Sequence, residues 1–190
     1  MRDPSPLAAD LAIGGALGTT WAAALRAYMV EISGDATSFS WSGTFGGVLA
    51  PGAISGAGLA LARRRQQRGD ANAWVPGLAL VSLAVLPMLR RGALRELFTT
   101  GIGGGAIGAA AALLLGGFGL GELGPRSARR VALTASLALS AGVAATVPSI
   151  GGPAHALTTP RGAWGATLGL GLMLGGTLAT AVAFRRPSRG

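Results

Sequence analysis

The chain has 190 residues, half of them hydrophobic and only 12% charged, with a mean hydropathy of +0.52 and a net charge of +9. Soluble domains carry about 25% charged residues, so there are too few charges here to cover a water-soluble globule, and intrinsic disorder is excluded by the apolar content. A polytopic, all-α membrane protein is the class that remains.

Membrane helices need about 20 mostly apolar residues, and six segments qualify in chain order. The first runs over residues 11–30. Its apolar run invites comparison with a signal peptide, but only Arg2, offset by Asp3, precedes it, so it is expected to be a true span. The second, 44–61, contains Pro51-Gly52, where a missing N–H and a flexible neighbour predict a kink. The third, 73–89, ends in the Arg90-Arg91 pair. The fourth covers 100–120, the fifth 131–147 after the Arg126 to Arg130 run, and the sixth 163–184. These spans leave only short connections, so the chain is expected to be a single membrane domain of residues 1–190 with function inside the bundle or on its rims.

All 16 basic residues are Arg, and they fall mostly between the spans, where a membrane protein needs them for orientation. With both termini inside, the inner segments hold 11 Arg and the outer ones 5. N-in and C-in is therefore expected. Arg90, Arg91 and Arg95 break the rule by falling outside. The same placement removes the reason to expect nucleic acid as a partner, which so basic a soluble protein would suggest. The expected partners are the lipid bilayer and either other membrane subunits or further copies of the chain.

The chain holds 33 Gly and 38 Ala. Small residues let membrane helices approach closely, and Gly52/Gly56, Gly104/Gly108, Gly165/Gly169 and Gly171/Gly175 each share a helix face. The last span, with two such pairs, is expected to make the most intimate contact. Two G-x-G-x-x-G stretches, 103–108 and 119–124, follow no strand signal, so packing and not dinucleotide binding is expected of them. Trp41, Trp74 and Trp164 sit at span starts as interfacial anchors, whereas Trp21 lies deep enough to fill a groove between helices.

The absence of Cys and the single His exclude thiolate chemistry and leave no zinc or haem set. No cofactor, metal or catalytic residues are assigned, and an enzyme is disfavoured because ionisable groups within the spans are scarce. Candidate function gathers instead near the first outer loop. Arg26 is the deepest charge, Glu31 and Asp35 follow among Ser and Thr, and Trp41 stands beside them. Pro51 lies within the second span, and Arg90 and Arg91 are placed to meet the acidic loop. His155, on an uncharged loop, is expected to be incidental.

The stretch from Arg26-Ala27-Tyr28-Met29 to Trp41-Ser42-Gly43-Thr44 resembles uncharacterised actinobacterial multi-pass membrane proteins. The resemblance implies no activity; it agrees with the Arg-only, Ala- and Gly-rich composition in pointing to a bacterial plasma membrane. Two functions are expected from the residues. One is a non-catalytic subunit or assembly partner of a membrane complex, favoured by small size and smooth faces. The other is an oligomeric channel or transporter for a small solute or ion, favoured by the Pro51 kink and the polar cluster.

Overall fold

The structure, a computed structural model, describes residues 6–34, 37, 39–69, 74–89, 92, 93, 95 and 104–186. All regular structure among these residues is helical. Helix α1 spans Pro6–Ser33, α2 Ala50–Gln67 with a π-helical lead-in at Ser42–Leu49, and α3 Trp74–Met88. Helix α4 spans Gly104–Leu120, α5 Arg126–Ala145 and α7 Pro160–Val182; between the last two lie the short α6, Val147–Gly151, and a 3-10 turn at Pro153–His155. Ser42–Gln67, Arg126–Gly151 and Pro160–Val182 are each long and apolar enough to cross a membrane, while Trp74–Met88 and Gly104–Leu120 are shorter apolar helices.

Helices α1 and α2 overrun their apolar segments because apolarity marks a solvent boundary and not the end of a hydrogen-bond ladder. Helix α2 continues through Arg63, Arg64 and Arg65, all good helix formers. It stops where Gly69 takes φ +90°, a left-handed conformation that glycine adopts without Cβ strain. Helix α7 starts where Thr159 accepts the Gly162 N–H at 3.1 Å and Pro160 fills the first turn. At Pro51, where a kink is expected, the helix does not end but changes register. The disturbance lies one turn earlier, where the π register carries the Ala50 N–H back to the Phe45 carbonyl. Pro51, with no N–H to give, stands where the ladder returns to its normal register.

The closest helix contact is not in the last span. Gly14 and Gly18 of α1 interlock with Gly52 and Gly56 of α2, with Ala22 and Ala60 at the ends of the seam. A Cβ on Gly56 would overlap the Gly14 carbonyl, and one on Gly18 would overlap the Gly52 carbonyl. In α7 the two glycine pairs behave differently. Gly169 lies against the Tyr28 ring, with a Cβ position 2.9 Å from the hydroxyl, and Gly165 lies against Val147 and Ile32. Gly171 and Gly175 face open space, as does Gly108. The i, i+4 spacing was informative about which residues share a face, but not about which face meets a neighbour.

Polar side chains tie the remaining helices together. Ser136 of α5 donates to the Ala112 carbonyl of α4 at 2.7 Å, and Ser55 of α2 meets Ser82 of α3 at 2.6 Å. Trp21 of α1 donates its indole N–H to the Leu172 carbonyl of α7 at 3.0 Å. Such bonds between helices average about 0.6 kcal/mol in a membrane, so they fix register more than they supply stability. The second G-x-G-x-x-G stretch is the turn from α4 to α5. Gly124 takes φ +87° there, and Gly121 lies directly against Phe184.

Candidate functional site

The start of α1, the end of α2 and the end of α7 come together at one end of the bundle. Arg64 Nη1 binds Asp10 Oδ2 at 2.5 Å, and the Gln66 amide N–H donates to the Ala183 carbonyl. Between these helices opens a cleft of about 540 Å³. Its walls are apolar, including Leu17, Leu59, Leu83, Leu113 and Gly176, and its charged rim consists of Asp10, Arg63 and Arg64. Gly14, Gly18, Gly52 and Gly56 also line the cleft, so the seam where α1 and α2 pack directly together forms one of its walls.

The cleft reaches inward as far as Trp21 and Leu83. The same two side chains also line a second, small cavity of about 40 Å³, bounded by Pro51, Met29 and Pro87. They therefore form a wall between a large space open toward the arginine-rich end and a space no larger than about one water molecule, whose share of liquid volume is roughly 30 Å³.

Arg64 is the best-placed cation of the cleft. Its side chain is 18% exposed, its Nη1 is held by Asp10, and its Nε is buried with no hydrogen-bond acceptor. Arg63 is exposed beside it. One carboxylate against two guanidiniums leaves the rim positive.

Of the residues expected to form the site, the described ones, Arg26, Glu31, Trp41 and Pro51, do not line this cleft. The Arg26 guanidinium stands over the Phe39 ring, 4.4 Å from its centroid, in cation–π geometry. Glu31 accepts from Arg161 Nε at 3.2 Å, a partner supplied by α7. Trp41 is 80% exposed and stacked on Phe45, with ring centroids 4.6 Å apart, which suits an interfacial anchor. Pro51 is fully buried against the small cavity. Asp35, Arg90 and Arg91 lie outside the described residues.

His155 is far from incidental to the fold. It is buried, with Nδ1 2.9 Å from the Gly151 carbonyl and Nε2 3.1 Å from the Glu31 carbonyl. Together with the Glu31–Arg161 pair it pins the α6–α7 connection onto the end of α1. Glu31, His155 and Arg161 thus form a clamp between helices at this end of the bundle.

The cleft was not foreseen from the sequence. Asp10, Arg63 and Arg64 were visible as charges flanking two spans, but their meeting depends on antiparallel packing of α1 on α2, which a pattern of small residues permits without specifying. Comparison of the chain with protein-family models, with curated proteins and with solved structures finds no match.

Proposed function

We propose that the chain is a multi-pass protein of the bacterial plasma membrane, with six spans and both termini inside, that binds a small molecule between its helices and passes it across the bilayer. The observation that carries this reading is the cleft of about 540 Å³. Ligand sites typically occupy roughly 300–1,000 Å³, with mostly apolar walls and a few polar groups that fix orientation. Asp10, Arg63 and Arg64 supply those groups here.

The excess of Arg supports the orientation. The segments that close the cleft end of the bundle carry most of the arginines, and positive charge is retained on the cytoplasmic side. The cleft then opens inward. Passage to the far face requires Trp21 and Leu83 to part, because they separate it from the small cavity beside Pro51.

The test uses the chain's natural lack of Cys. Ala179 lines the cleft, and its neighbour Leu178 is exposed without lining it. Single variants Ala179→Cys, Leu59→Cys and Leu178→Cys are exposed to a membrane-impermeant maleimide in right-side-out and inverted vesicles. The proposal expects Ala179→Cys and Leu59→Cys to react in inverted vesicles only, and Leu178→Cys, facing lipid, to react in neither. Equal, slow reaction of all three would mean that the cleft is filled or closed to water and would overturn the reading.

A further inference from the structure

We infer that the cleft takes a single-chain amphiphile with a carboxylate head, the acid at Arg64 and the alkyl chain pointing toward Trp21. The inference rests on the binding role proposed above and adds the chemical class of the ligand.

The head group follows from the rim. Arg64 lines the cleft with a side chain that is 18% exposed and has one donor committed to Asp10. A guanidinium carries five N–H donors, and a carboxylate or a phosphate matches its edge geometrically. The charges choose between them. Arg63 and Arg64 against Asp10 leave one net positive charge at the rim, which a monoanion neutralises and a phosphate dianion overshoots.

The tail follows from the walls. Beyond the rim the cleft is lined by Leu17, Leu59, Leu83 and Leu113 with the glycines of α1 and α2 between them; Ser55, bonded to Ser82, and Thr180 also line it but are almost fully buried, so the surface offers an alkyl chain mainly apolar contact. Asp10 and Trp21 both line it on α1, and eleven residues of helix advance roughly 16 Å at about 1.5 Å each. A fully extended alkyl chain advances roughly 1.25 Å per carbon, given a bond of about 1.52 Å bent at about 111°. The cleft therefore matches one chain of about 12 carbons, with its methyl end at the Trp21 and Leu83 wall.

Protection of Ala179→Cys from maleimide in inverted vesicles tests the inference. Dodecanoate is expected to slow labelling in a saturable way, while dodecan-1-ol, which keeps the tail, and acetate, which keeps the head, have no effect at the same concentrations. In the Ala179→Cys background, Arg64→Gln should raise the dodecanoate concentration needed by about tenfold, the equivalent of one lost charge-assisted hydrogen bond. Asp10→Asn should lower it, because it removes a competing carboxylate. The opposite signs keep the inference testable even if Arg64→Gln proves unstable, since a purely structural Asp10–Arg64 pair would make Asp10→Asn weaken protection.

If Ala179→Cys is never labelled, the binding role itself fails. If it is labelled but dodecanoate protects no better than dodecan-1-ol, the role stands and the acid head is wrong. Protection by dodecyl phosphate at lower concentration than dodecanoate would likewise overturn the carboxylate assignment.

Discussion

The indole N–H of Trp21 donates to the carbonyl of Leu172 at 3.0 Å, joining α1 to α7 at the depth where the large cleft ends. That bond fixes the Trp21 ring where it lines both cavities. Gly176 makes room for it: a Cβ there would stand 2.9 Å from the indole nitrogen. Trp21 thus both fastens two helices and stands between two cavities, and two substitutions separate the roles. Trp21→Phe removes the donor and keeps a ring in the wall; it should lower stability by about 0.6 kcal/mol, read as a small drop in Tm in detergent. Trp21→Ala should in addition open the wall. A Met29→Cys reporter beside the small cavity should then be labelled faster from the arginine-rich side than when Trp21 is present.

The glycine seam between α1 and α2 should be the least tolerant part of the bundle. Gly18→Leu and Gly56→Leu each drive a side chain into backbone of the facing helix. Overpacking of this kind costs about 1–3 kcal/mol, and more where neither backbone can retreat. Gly171→Leu and Gly175→Leu, which face open space, should melt within a degree or two of the parent, by the rule that substitutions away from tight contacts stay within about 0.5 kcal/mol. Thermal unfolding of the four variants side by side checks the ranking, and equal loss in both pairs would contradict the seam.

Glu31 and Arg161 form a pair whose side chains are 34% and 55% exposed, so their attraction is screened by solvent. A double-mutant cycle of Glu31→Arg and Arg161→Glu should show each reversal mildly destabilising and the swapped pair partly recovered, with a coupling of about 0.2–1 kcal/mol. His155 matters more in this clamp because it is buried between two carbonyls. His155→Leu leaves the carbonyls of Gly151 and Glu31 without that ring and should cost about 1–3 kcal/mol. Protease sensitivity of the 146–160 connection should rise more in His155→Leu than in either charge reversal.

The helical class and the approximate positions of the helices were legible in composition and apolar run length, because a bilayer demands both. The depth of Trp21 correctly separated it from Trp41 and Trp74, which are largely exposed. What was not legible is which small-residue faces meet. Gly14 and Gly18 have the same spacing as Gly171 and Gly175, yet one pair lies at the tightest seam and the other faces outward. Charge pairing was illegible for a related reason. Glu31 stood out beside other polar residues, but its partner, Arg161, lies 130 positions away on α7. Asp10 and Arg64 drew no attention as a pair because 54 residues separate them and only the fold unites them.

Native mass spectrometry of the protein extracted gently from its own membrane tests the central claim most directly, that the cleft holds a small molecule. The account predicts the 18.7 kDa chain, or its multiples, carrying a tightly held adduct with the mass of a single-chain acid, and loss of that adduct in Arg64→Gln. A chain found without any adduct, and bound instead to other polypeptides, would contradict it and make the protein a subunit of a larger assembly.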